Sequence, residues 1–82
     1  MNKRKLLAKL QNNSKNVRYG DFVALIEAFG FRYERAEGSH NMYKHKNVPK
    51  IINAQNEKGQ AKSYQIKQFL ALVEKYEIEL ED

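Results

Sequence analysis

Residues 30–45, Gly30-Phe31-Arg32-Tyr33-Glu34-Arg35-Ala36-Glu37-Gly38-Ser39-His40-Asn41-Met42-Tyr43-Lys44-His45, hold the point at which the chain changes its period. Before this stretch, Phe22, Leu25, Ile26 and Phe29 recur at i, i+3, i+4 and i+7. That is a helical stripe, opened by Asp21 and followed by Gly30, the residue type that commonly succeeds a helix. From Phe31 the period becomes two, with Phe31 and Tyr33 alternating with Arg32 and Glu34. Glu37-Gly38 then reads as a turn into a second strand, Ser39 to His45, so a hairpin follows the helix.

Working outward, Val48 to Ala54 with Ile51 and Ile52 reads as a third strand, and Pro49 lies near its start, where a missing amide is tolerable. Gln55 to Lys62 is polar, contains Gly59 and reads as a loop. Ser63 can cap a last helix carrying Ile66, Phe69, Leu70, Val73 and Tyr76. On the amino-terminal side, Leu6, Leu7 and Leu10 share a face of a short helical segment, Lys3 to Gln11, that ends at Asn12-Asn13-Ser14. The order is helix, helix, three strands, helix. The expected class is α+β, with the helices packed on one face of a three-stranded antiparallel sheet and the other face open. Its core should draw on Phe22, Leu25, Ile26, Phe29, Ile66, Phe69, Leu70 and Val73.

At 82 residues the chain is expected to form one domain, in which 1–17 is an additional amino-terminal helical segment and 77–82 an acidic tail that frays. There is no cysteine, so neither a disulfide nor a thiolate nucleophile is available. The longest apolar run, Phe69 to Val73, is far short of the roughly 20 residues that cross a bilayer. No signal-peptide stretch is present at the amino terminus, so a cytoplasmic protein without a membrane partner is expected. Fifteen Lys and Arg against ten Asp and Glu give +5, unevenly spread. Residues 1–20 carry six basic and no acidic side chains and residues 21–72 eight against five, a body of +9; residues 73–82 carry one against five. Such a body attracts polyanions through their phosphates in a salt-dependent way.

The two histidines, His40 and His45, lie five residues apart on one strand, which directs them to opposite faces. They cannot share a site, and with no cysteine and no clustered carboxylates a metal centre lacks ligands. A lone histidine is ordinarily a surface or hydrogen-bonded structural group. His40, however, follows Gly38 and Ser39 at a turn, where a backbone free of side-chain bulk can admit a phosphate, and it shares a face with Met42 and Lys44. Imidazole chemistry suits removal of a proton from a ribose 2′-hydroxyl or delivery of one to a leaving oxygen, and Lys44 could stabilise the phosphorane charge. Lys44, Lys46 and Lys50 are equally compatible with a solvated strand surface. Lys58, Lys62 and Lys67 bracket the start of the last helix, where free amides favour a phosphate. Tyr33, Tyr43 and Tyr76 suit core or hairpin pairs better than base stacking.

The segments Gly30-Phe31 and Gly38-Ser39-His40-Asn41-Met42-Tyr43-Lys44-His45 resemble the HicA toxin family of bacterial toxin–antitoxin systems. Lys50-Ile51-Ile52-Asn53, Gly59-Gln60-Ala61-Lys62 and Tyr64-Gln65-Ile66-Lys67-Gln68 are similar to a subgroup with an extra amino-terminal helical segment. The resemblance implies a fold like the double-stranded-RNA-binding domain and an endoribonuclease that cleaves messenger RNA without metal or other cofactor. It also implies a HicB-type antitoxin as partner. The family's required histidine maps onto His40, and Gly38 and Ser39 map with it. At Asn41, many relatives carry a second histidine. The alternative is a non-catalytic RNA-binding module of the same fold.

Overall fold

The computed structural model describes residues 2–81. Helix α1, Lys3–Asn12, starts where the Asn2 side chain accepts from the backbone N–H groups of Arg4 (2.8 Å) and Lys5 (3.4 Å), and it buries Leu6 and Leu10. Helix α2, Tyr19–Ala28, begins two residues before Asp21, which instead occupies the first turn, where a carboxylate suits the positive helix end. Its start has no side-chain cap. Tyr19 N donates to Gly59 O at 2.9 Å and Arg18 bridges to Gln60, so distant backbone fixes a boundary that local sequence would place at Asp21.

Strands β1 (Arg32–Glu37), β2 (His40–His45) and β3 (Val48–Glu57) form the expected antiparallel meander. The sheet nevertheless has four strands, in the order β1-β2-β3-β4, since Gln60–Ala61 forms a short β4. The stretch read as a loop is therefore a hairpin. β3 runs on to Glu57, and a two-residue turn, Lys58-Gly59, has positive φ at both positions (53° and 86°), the conformation that matches strand twist. Asn56 Oδ1 accepts from Gly59 N at 2.7 Å and Ala61 N donates to Val17 O at 2.9 Å, which pins this hairpin beside the start of α2.

Helix α3, Ser63–Lys75, has Lys62 at the cap position, with no side-chain cap bond. Ser63 is already helical and its hydroxyl meets that of Ser14 at 2.9 Å, tying α3 to the segment after α1. Register divides the sheet faces: the Asn41–Ala54 and Tyr43–Ile52 pairs look toward the helices, and the His40–Gln55 and Met42–Asn53 pairs look away. Between sheet and helices, Phe22, Phe29 and Phe31 surround Phe69 at ring separations of 5.9, 5.5 and 5.4 Å, all edge-on. Leu25, Ile26, Ile66 and Val73 complete the buried set, whereas Leu70 is only partly buried and packs against its margin.

Over its described part the acidic end lies against the core. Ile78 and Leu80 pack partly buried against the core, Ile78 N donates to Val73 O (2.9 Å), and Glu81 N donates to Ala28 O (2.7 Å). Two apolar residues spaced by two are enough to lay an extended segment on the helices, although glutamates surround them. The result is the α+β arrangement of a double-stranded-RNA-binding-domain-like fold, with α1 added at its amino-terminal end.

Candidate functional site

The open sheet face begins at the β1–β2 turn. Gly38 takes φ of +60° at the first of two central positions, as glycine does in type II′ hairpins. A Cβ there would meet nothing, so the glycine serves the backbone conformation rather than making room. The turn delivers His40, partly buried, to the start of β2. Its Nδ1 lies 2.9 Å from Asn53 Oδ1. An amide oxygen only accepts, so Nδ1 carries the proton, and the neutral ring keeps its lone pair on Nε2. Ser39 is held in the same way by the next outward residue of β3, Gln55, whose Nε2 donates to Ser39 Oγ at 3.2 Å. Gln55 N in turn donates to Oε1 of Gln65, a side chain of α3 only 2% exposed, at 2.9 Å. The strand that positions His40 and Ser39 is thereby fastened to the helix layer.

His45 lies apart from His40, as strand alternation requires. Its ring packs on Phe31 with centroids 5.1 Å apart, and its Nδ1 accepts from Asn47 N at 3.0 Å. Asn41 also faces the helices and donates to the Tyr19 hydroxyl at 2.6 Å. A histidine at position 41 would thus stand behind the sheet, not beside His40. Tyr33 and Tyr43 form the expected hairpin pair, edge-on at 5.8 Å, and burial pushes the Tyr43 hydroxyl pKa above its ordinary value. Among the described residues, no three His, Asp or Glu side chains gather as a metal ion would need.

Lys44 does lie with His40 on the open face, but Glu34 engages it at 3.4 Å. Arg35, opposite Met42, bonds to Glu37 at 2.6 Å and to Glu34 at 2.5 Å, and these hydrogen bonds and charges, Glu37 first, raise its pKa. The face beside His40 is therefore a mixed-charge ladder. The remaining lysines divide among three places. Lys62 and Lys67 line an open groove of about 620 Å³ at the start of α3, together with Lys15, Ser63 and Tyr64. Glu57 contacts Lys62 at 3.0 Å and raises its pKa, by hydrogen bonding first and by charge second. Lys58 sits in the β3–β4 turn. Lys50 shares a separate groove with Gln68, Ala71, Leu72 and Lys75 along the far half of α3.

Sequence spacing did not reach Asn53, Gln55 or Arg35. Each acquires its role through cross-strand register, and an unremarkable Asn or Gln in a strand carries no local signal of it. Lys15 lay outside the expected cluster because the α1–α2 connection folds back over the start of α3.

No helix of the described residues is long and apolar enough to cross a membrane. Neither the curated proteins nor the solved structures contain a match to the chain. The family model described as the HicA toxin of bacterial toxin–antitoxin systems matches residues 19–74, from the first residue of α2 almost to the end of α3. The chain belongs to the HicA toxin family of bacterial toxin–antitoxin systems.

Proposed function

We propose that this toxin is an endoribonuclease that cleaves messenger RNA and so arrests translation, with His40 as its general base. The observation that carries the reading is the 2.9 Å bond from His40 Nδ1 to Asn53 on an open sheet face, which leaves Nε2 as the basic atom. Nε2 takes the 2′-hydroxyl proton, and the 2′ oxygen attacks the adjacent phosphorus. The bond to the 5′ oxygen then breaks, giving a 2′,3′-cyclic phosphate and a 5′-hydroxyl. The leaving oxygen takes a proton from solvent, and His40 afterwards returns its own to water. No cofactor enters this step.

Gly38 and Ser39 place backbone and hydroxyl beside the scissile phosphate, and Lys44, farther along the same face, meets a neighbouring phosphate of the strand. Lys62 and Lys67, with Lys15, hold flanking phosphates at the groove of α3, and Lys58 extends that basic edge. A contact from Lys50 requires the strand to reach the helix side. As a toxin of this family the protein has an antitoxin partner. We assign it a HicB-type protein with an acidic surface that covers His40 in the cytoplasm, where complementary potential speeds the encounter with the +9 body of residues 1–72.

A second reading, a non-catalytic RNA-binding module, draws on one observation: Glu34 and Glu37 already engage Lys44 and Arg35, the cations flanking His40. Cleavage of a defined messenger fragment in EDTA separates the two. Wild type should cut it, and folded His40→Ala should lose at least about 10²-fold in rate, the scale of general acid–base catalysis. Equal rates in the two proteins, or loss of cutting in EDTA, would overturn the enzyme reading.

A further inference from the structure

At the end of β2 farthest from His40, a pocket of about 270 Å³ is lined by Gly30, Arg32, Lys44, His45, Lys46 and Glu81. Its basic members are Arg32, Lys44 and Lys46, with the imidazole of His45 beside them. The one acid is Glu81, brought from the opposite end of the chain. The tail is guided there by Ile78 and Leu80, packed on the core, and by the bond from Glu81 N to Ala28 O at 2.7 Å. The carboxylate then lies over Gly30, where any Cβ would overlap Glu81 Oε2, and Oε1 stands 3.8 Å from the Arg32 guanidinium. Gly30 is required by its φ of +87° at the helix end, and its lack of a Cβ leaves the space that the exposed carboxylate occupies.

Two features make this pocket more than a surface ion pair. It lies at the carboxyl end of α2, the negative end of the helix dipole, so the neighbouring basic side chains offset a potential that disfavours a carboxylate there. The fit is also loose: Glu81 and Arg32 remain 58% and 71% exposed, and a 3.8 Å separation lies beyond hydrogen-bond distance. A phosphodiester presents the same charge and two acceptor oxygens in place of the carboxylate's two. Arg32 and Lys44 are cross-strand partners on the face that carries His40, and four residues of strand put Lys44 about 13 Å from it, within reach of one RNA strand.

We propose that the Arg32–Lys44–Lys46 pocket is a phosphate subsite for the RNA strand and that the Glu81 carboxylate occupies it in the free protein, as an internal competitor the substrate must displace. This rests on the reading of the toxin as RNA-directed. Because the tail is a weak competitor, its removal changes affinity modestly and only at this pocket.

The test uses the full chain in a His40→Ala form, so that RNA stays intact, with binding of a short single-stranded RNA followed by fluorescence anisotropy at 0.1 M salt. Glu81→Gln should tighten binding about two- to five-fold, the scale of releasing one exposed ion pair. Glu79→Gln makes the same change in net charge but lies in the separate groove beside Arg4 and Leu80, and should change affinity by less than about 1.5-fold. In an Arg32→Gln background the gain from Glu81→Gln should disappear. Equal gains from Glu79→Gln and Glu81→Gln, or a gain that survives loss of Arg32, would overturn the proposal. A parallel titration with inorganic pyrophosphate, followed at the backbone amides of Gly30, Arg32, His45 and Lys46, separates the two levels of the argument. If pyrophosphate perturbs these amides, and does so more tightly in Glu81→Gln, while no variant binds RNA, the anion subsite stands and the RNA reading fails. If these amides do not respond, or respond identically in both proteins, the subsite itself is refuted.

Discussion

Replacing Gln65 by Leu tests whether the helix layer holds β3, the strand that bonds to His40, in place. The side chain is 2% exposed, and its Oε1 accepts from Gln55 N at 2.9 Å. Leucine nearly conserves volume and removes the acceptor, so the Gln55 N–H is left without a partner inside the protein. That costs ~1–3 kcal/mol. The apolar side chain, buried in the same place, returns ~1 kcal/mol. A net loss of up to ~2 kcal/mol lowers the melting temperature by up to roughly 16 °C in a domain of this size. The assay is a thermal melt combined with hydrogen exchange. The Gln55 amide should lose more protection than amides on the buried face of α2, because the lost bond acts there before it acts on the whole fold. A Gln55 amide as protected as in wild type, whatever the change in melting temperature, would refute the proposed fastening of β3 to α3.

Asn53→Ala frees the His40 ring and should slow RNA cleavage by up to about 10²-fold, the cost of a misplaced reacting group. Stability should change by only ~1 kcal/mol. Asn53→Asp keeps an acceptor oxygen and should recover most of the rate; failure of Asn53→Ala to alter cleavage would dismiss the positioning role. Tyr43 provides a pH test. Its folded pKa is raised, first by burial, above the ordinary 10.0, so the folded state holds the phenolic proton more tightly. That contribution is fully present below pH 10 and is lost as pH rises through the folded value. Tyr43→Phe should accordingly flatten the loss of stability above pH 10 in urea titrations, and an unchanged slope would contradict the assignment.

The parts of the fold legible in the sequence are those whose signal is local. Phe22 to Phe29 and Ile66 to Val73 announce their helices because each repeats an apolar residue on one helical face, and both stripes enclose the core around Phe69. Leu70 shares that spacing but falls at the rim, where α1 and α3 leave a groove. The β4 strand escaped notice since two residues cannot display a period, and its turn uses Lys58 where Asn or Asp would have signalled one. For the candidate site, Gly38-Ser39-His40 stood out through its turn and its resemblance, while Asn53, thirteen residues along the chain, met His40 only through the register of β2 and β3. The lysines were visible as charges, but which of them share a surface depends on the fold: Lys44, Lys50 and Lys62 lie in three different places.

The edges of the sheet constrain how this toxin can meet other chains. β1 is the outer strand on one side, exposed along its whole length. Four of its six residues are Arg or Glu, and a bulge between Tyr33 and Arg35 interrupts its pairing with β2. Charge and irregular backbone together make such an edge a poor template for an incoming strand. On the other side β4 offers only two residues, and the bridge from Gln60 to Arg18 already occupies part of its outer rim. Neither border of the sheet invites extension, which protects the chain from stacking on its own copies. An inhibitor that silences this toxin must then grip side chains on a face, and point substitutions on that face can tune recognition without disturbing the backbone ladder beneath it.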